Sequence, residues 1–151
     1  RIFPQALGAN TVEVCLVDPN MEPAGSEVIQ AVQALIDPNK NGDGSGEAPI
    51  GAVCTVTTAE RLEIAVSASV TIAEEAELGA VTEAVKANLT DYLREIAFAK
   101  GVSYVSYAQI TSRINATEGV LDHKDLTVNG GTSNVPLEDR QTPVLGEVHL
   151  T

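Results

Sequence analysis

Four oxygen-bearing side chains stand at every second position early in the segment DPNKNGDGSGEAPIGA, residues 37–52: Asp37, Asn39, Asn41 and Asp43, with Gly42 between the last two. Carboxylates and carboxamides at this spacing are what a calcium loop uses, because a hard divalent cation takes oxygen ligands and a glycine permits the sharp turn. The pattern is not completed. The twelfth position, which must supply a bidentate carboxylate, is Ala48, and Glu47 falls one place early. Gly44 at the eighth position offers no apolar anchor, and Pro49 with a strand follows where a hand-type site needs a helix. Asn, Asp and Gly are also the ordinary residues of surface turns. The segment therefore reads as a flexible connector running into a strand entry at Ala48-Pro49-Ile50-Gly51-Ala52. Metal binding through Asp37, Asn39, Asn41 and Asp43, in a calcium-dependent binding or adhesion module built on residues 37–48, is the alternative.

Other chemistry is thinly represented. His123 lies beside Asp122 and Asp125 in what reads as a polar turn, and His149 lies in the last strand. A hydrolase built on His123 would need a nucleophile, and no G-x-S-x-G elbow is present. No glycine-rich stretch runs into the Gly-Lys-Ser/Thr of a phosphate loop, and no dinucleotide fingerprint follows a strand. A carboxylate pair for glycoside cleavage could be drawn from the 21 acidic residues almost at will, so that signal is empty. The reading is a non-enzyme with no catalytic residue, no cofactor and no small-molecule substrate, a hydrolase being the lesser alternative. Cys15 and Cys54 both fall in apolar, strand-like runs; they read as small buried hydrophobes, with a disulfide dependent on strand placement. Asn88-Leu-Thr90 and Asn115-Ala-Thr117 match the glycosylation pattern by chance, inside helical segments.

The elements that would position such residues are legible from periodicity. Val12 to Val17 is apolar on both faces, which predicts a central strand. Ser26 is a candidate N-cap for a helix in which Val28, Ile29, Val32, Leu35 and Ile36 follow at helical spacing, ended by Pro38. Val53 to Thr57 reads as a strand that forms a hairpin with the next one. In that next strand Leu62, Ile64, Val66, Ala68, Val70 and Ile72 alternate with Glu63, Ala65, Ser67, Ser69 and Thr71, the mark of one buried face. Glu74, Glu75 and Glu77 precede the longest helix and complement its dipole; Leu78, Val81, Val85, Leu89, Tyr92, Leu93 and Ile96 form its core stripe. Ser106 with Gln109 opens a shorter helix as a capping box, with Tyr107, Ile110 and Ile114 inward. Gly119 to Val128 reads as a strand interrupted at Asp122 to Asp125, and Val144 to Leu150 as the closing strand.

The order β-α-β-β-α-α-β-β predicts an α+β fold: a mixed, largely antiparallel sheet with helices packed on it. The expected organisation is a small βα unit over residues 1–43, ending in a flexible loop, and an α+β body over residues 44–151, within a chain short enough to be one compact domain. Val, Ile, Leu and Ala must build the core, since aromatics are 3% and Trp is absent. A net charge of −12 makes nucleic acid and anionic membrane poor partners. No apolar run is long enough to span a bilayer, no signal peptide is present, and a start at Arg1 rather than Met suggests a fragment or a processed chain.

Taken in order, several segments carry a likeness. Thr11-Val-Glu-Val-Cys-Leu-Val17, the helix end Ala34-Leu-Ile-Asp-Pro38, Gly46-Glu-Ala-Pro-Ile-Gly-Ala-Val53 and the alternating strand Leu62 to Ile72 resemble the baseplate J-like proteins of contractile phage tails. So do Gly119-Val-Leu-Asp-His-Lys-Asp-Leu-Thr-Val-Asn-Gly130 and the ending from Val135-Pro-Leu to Thr142-Pro-Val-Leu-Gly-Glu-Val148. The chain looks like the C-terminal half of such a protein, with Asn39 to Ser45 as a local elaboration. The resemblance implies a structural role: a baseplate wedge component of a virion, phage or prophage, assembled in the bacterial host cytoplasm. Its implied partners are other baseplate proteins and copies of itself, and the family brings no catalytic residues.

Overall fold

A computed structural model describes residues 1–151. The elements are β1 (Ile2–Pro4), β2 (Thr11–Leu16), α1 (Ser26–Ile36), β3 (Val53–Thr58), β4 (Glu60–Ile72), α2 (Leu78–Ile96), β5 (Tyr104–Val105), α3 (Tyr107–Asn115), β6 (Val120–Val128), β7 (Val135–Pro136) and β8 (Gln141–Leu150). The class is α+β, with mixed sheets. Two compact units divide at Glu60 and Arg61, whereas the sequence suggested a division at residues 43 and 44. The difference has a plain cause. Residues 44–58 lead into and include β3, and β3 completes the sheet begun by β2, so they stay with the first unit.

In the first unit the strand order is β1-β2-β3. β2 is the central strand its two-sided apolar pattern predicted, antiparallel to β1 (Ile2 opposite Val14) and parallel to β3 (Thr11 opposite Val53). A parallel neighbour needs a crossover, and α1 supplies it. Asp18 turns the chain after β2, its Oδ1 accepting the N–H groups of Asn20 and Glu22, both at 2.8 Å. Three expectations are corrected here. Gly25, not Ser26, is the N-cap, and Ser26 is the first helical residue. α1 buries Gln33 and leaves Val28 and Leu35 exposed, because the strand it lies against asks for hydrogen bonds (see below). And β3 forms no hairpin with β4: only Ala59 separates them, yet they belong to different sheets.

Cys54 lies opposite Val12, and Cys15 lies opposite Thr57. Cys15 stands three positions after Val12, an odd step along the strand, so the two cysteines project from opposite faces of the sheet. Both thiols are free and buried.

In the second unit the order is β6-β4-β8. β4 and β6 are antiparallel, Val66 opposite Val128 and Ile72 opposite Val120. On the other side of β4, Thr151 donates to the Ala68 carbonyl at 3.1 Å and accepts from the Val70 N–H at 2.8 Å. One residue bonding to positions either side of its neighbour is the slanted pattern of a parallel pair. The interruption expected at Asp122 to Asp125 is a kink inside one continuous strand. The register shifts opposite Ser67 to Ser69, and Asp125 takes φ +53°, as at a β-bulge.

The core follows the periodicities. Ile64, Val66 and Ala68 of β4 meet Val81, Val85, Leu89, Tyr92 and Leu93 of α2, Ile110 and Ile114 of α3, and Leu126, Val128 and Leu150. Each Val, Ile or Leu side chain among these, fully buried, is worth about 1.5–3 kcal/mol in apolar transfer. Ser106 caps α3, its Oγ accepting the Gln109 N–H at 3.3 Å, which is one half of the expected capping box; the other half does not form, because the Ser106 N–H is taken elsewhere. The Tyr92 hydroxyl accepts the Ser106 N–H at 2.9 Å, tying α2 to the start of α3, and burial pushes the phenol up from its usual range. No helix is long and apolar enough to cross a membrane.

Candidate functional site

The loop from Asp37 to Ala52 is the segment on which the chemical alternatives rest. Its first residue is interior: Asp37 is 2% exposed. It follows directly on α1, one helical turn after Gln33, so both side chains leave the same face of the helix. That face meets β3, an edge strand whose outer N–H and C=O groups have no strand to pair with.

The two side chains supply the missing partners. The Asp37 Oδ2 accepts the Cys54 N–H at 3.0 Å. Gln33 Nε2 donates to the Cys54 carbonyl at 2.9 Å, and Gln33 Oε1 accepts the Val56 N–H at 2.8 Å. Gln33 Nε2 also donates to the Asp37 carbonyl at 2.7 Å. A glutamine and an aspartate thus stand in for a neighbouring strand, and the Cys54 N–H and C=O and the Val56 N–H are satisfied. Burial pushes the Cys54 thiol up from its usual range, and the nearby Asp37 charge pushes in the same direction.

The same carboxylate organises the loop. Asp37 Oδ1 accepts the Asn41 N–H at 3.4 Å, and Oδ2 accepts the Gly42 N–H at 3.2 Å. Gly42 is buried at φ +65°, with the Ala52 backbone 3.0 Å from where a Cβ would stand, so only glycine fits. Gly51 donates to the Gly42 carbonyl at 2.8 Å, and Glu47 and Ala48 donate to the carbonyls of Leu35 and Ile36 at 3.0 and 2.9 Å. The expected flexible link is therefore folded back on the end of α1, where it satisfies helix carbonyls that would otherwise lack donors.

The other candidate ligands are on the outside. Asn39 Nδ2 donates to Asp43 Oδ2 at 2.8 Å and to Ser45 Oγ at 3.2 Å. Asn41 Oδ1 accepts the Asp43 N–H at 3.1 Å, and Asp43 Oδ1 accepts the Ser45 N–H at 2.9 Å. Hydrogen bonds from Ser45 and then Asn39 hold the exposed Asp43 carboxyl down at about 2. Asn39 and Asp43 are brought together; Asp37 points away from them into the unit, with its oxygens occupied by backbone N–H groups. No group of three or more His, Cys, Asp or Glu side chains is placed to hold a metal ion.

His123 lies on β6, where its Nδ1 is 2.7 Å from Asn115 Oδ1 and its backbone N–H donates to Asp122 Oδ1 at 2.8 Å. His149 is exposed on β8. Sequence reasoning missed the buried polar residues Gln33, Glu13, Thr117 and Thr142; Glu13 accepts a hydrogen bond from Thr57 Oγ1 at 3.0 Å. A signal for Gln33 existed in its place between Ile29, Val32 and Ile36 on the inner side of α1, facing a strand that ends a sheet.

The geometry offers ordered polar clamps and packed apolar faces. Comparison with known proteins agrees with an architectural reading. The Baseplate J-like central domain matches residues 1–58, and the Baseplate J-like protein C-terminal domain matches residues 64–151. These matches meet where the two compact units divide. The phage-like element PBSX protein XkdT of Bacillus subtilis strain 168 is 33% identical over 150 residues, 99% of this chain and 42% of that protein. The protein YqbT of the same strain is 31% identical over 150 residues, with the same coverage. The chain thus spans about two-fifths of the length of these relatives. Among solved structures, a chain of the six-fold symmetrised cryo-EM baseplate of the anti-feeding prophage superimposes with a TM-score of 0.59 at 12% identity, covering 97% of this chain and 33% of that one, a likeness of fold. The chain belongs to the Baseplate J-like family, its central domain followed by its C-terminal domain.

Proposed function

We propose that this chain is a structural part of the baseplate of a contractile tail, phage or prophage. It works through contacts with other baseplate proteins and with further copies of itself. In this reading it is no enzyme, uses no cofactor, and resides in the tail baseplate after assembly in the bacterial cytoplasm. The observation that carries the proposal is the succession of both family domains, in order, along the chain. The names of a similar prophage-element protein and of a prophage baseplate with the same fold point the same way.

The loop at residues 37–52 then serves as a structural clamp. What supports this over a calcium site is the use of both Asp37 oxygens by backbone N–H groups at 3.0–3.4 Å. A cation at the loop would have to recruit a carboxylate that is buried and already accepts three backbone N–H groups.

The test is genetic. Deleting the coding region of the parent protein should abolish contractile particles in electron micrographs of induced lysates, and supplying it in trans should restore them. Normal particles from the deletion strain would overturn the proposal.

A further inference from the structure

The second unit carries a surface groove of about 610 Å³ where the β4–α2 connection meets the turn before β6. Its floor is formed by Ala76, Ala80 and Ala84, with the side of Val81 beneath, and its rim carries Glu75, Glu77 and Glu118. Ala80 and Ala84 lie one helical turn apart on the face of α2 that leaves the core, and with Ala76 they make a shallow apolar trough. Gly119 fixes the far wall. It takes φ +87°, and a Cβ there would stand 3.0 Å from Val81 Cγ2 and 3.2 Å from Ala76 Cβ. That close approach brings Glu118 to the same groove as Glu75 and Glu77.

The chemistry of the rim identifies an occupant. Ion pairs of this unit include Arg61 with Glu63, Lys86 with Glu83 and Arg113 with Glu95. None reaches Glu75, Glu77 or Glu118. Three unpaired carboxylates around an apolar floor are complementary to a cationic, partly aliphatic segment, whose lysine or arginine stem packs on alanine while its charged head meets the rim. A second copy of this chain is the wrong partner, since each copy carries a net charge of −12 and only nine cations. We propose that this groove docks a basic segment of a different protein in the assembled particle. This rests on the baseplate reading above.

An Ala80→Cys substitution tests it, because both native cysteines are buried. In the purified protein the introduced thiol should react with a maleimide at a rate independent of protein concentration. In purified particles it should be protected at least tenfold. A companion variant combining Ala80→Cys with Glu75→Lys, Glu77→Lys and Glu118→Lys, checked for an unchanged melting curve, should lose that protection or fail to enter particles. Equal labelling in free protein and particle would overturn the proposal, as would protection that survives charge reversal. Protection of the purified protein that grows with concentration would assign the groove to a second copy instead. Absence of the protein from otherwise complete particles would overturn the baseplate reading itself, and this docking with it.

Discussion

The Asp37 carboxylate accepts the backbone N–H of Cys54 at 3.0 Å, across seventeen residues of chain. With Gln33 it closes the open edge of β3, so a helix end and a loop do the work of a fourth strand. Edge strands are liabilities in assemblies built from many chains, because unpaired N–H and C=O groups invite pairing with the wrong neighbour. This edge is closed by side chains that cannot slip in register.

The clamp makes an unusual prediction for Gln33. Periodicity alone would favour an apolar residue at a buried helix position. Gln33→Leu should instead destabilise the first unit by about 2 kcal/mol, because the Val56 N–H and the Cys54 C=O lose their partners while buried. Asp37→Ala should cost about 2–4 kcal/mol, and Asp37→Asn less, since one acceptor oxygen remains. Urea unfolding measures each. A more stable Gln33→Leu protein would show that packing, not edge closure, governs the site.

Asp43 gives a prediction in pH. Its folded value of about 2 lies below the ordinary aspartate value, so the folded state favours the carboxylate. The associated stabilisation is present above roughly pH 4 and is lost as the pH falls through about 2. The Asp43 side-chain carboxyl should titrate by NMR near that value. Ser45→Ala should move its midpoint upward. A midpoint near the ordinary value in the unmodified protein would mean that the Asn39–Asp43–Ser45 turn does not form in solution.

Calcium is the matching control. With both Asp37 oxygens bonded to backbone N–H groups, addition of millimolar calcium should release no heat and leave the melting temperature unchanged. A saturable calorimetric signal removed by Asp37→Asn would restore the metal-binding alternative.

Two glycines should respond oppositely to alanine. At Gly46 a Cβ would stand 2.4 Å from the Ile36 carbonyl oxygen, so Gly46→Ala must displace the loop and should cost about 2 kcal/mol or more. At Gly79, on the first turn of α2, nothing lies within 4 Å, and Gly79→Ala should stabilise by about 0.5 kcal/mol. Thermal melts of the two variants distinguish a folded-back loop from a free one.

Much of the second unit was legible in the sequence, because its core obeys simple periods. The alternation from Leu62 to Ile72 and the stripe from Val81 to Ile96 pack into or against the core, whereas Leu78, expected at the head of that stripe, is exposed on the first turn of α2. The first unit was harder to read, for a physical reason. Its helix lies against a strand edge, where hydrogen bonding outranks apolar burial, so Gln33 turns inward and Val28 and Leu35 turn out. Short strands such as β1, β5 and β7 carry two or three residues each, too few for any period to show. The oxygen spacing of the loop was ambiguous because it suits a cation and also turns in which Asn39, Asn41 and Asp43 bond to their own neighbours, and nothing in it showed that Asp37 turns inward to hold the loop against α1.

The most direct test of the baseplate role is quantitative mass spectrometry of purified contractile particles from the source bacterium. The account predicts the protein in a fixed ratio to the other tail proteins, retained through a high-salt wash. Complete particles that lack it, or a ratio that varies from one preparation to the next, would contradict the account.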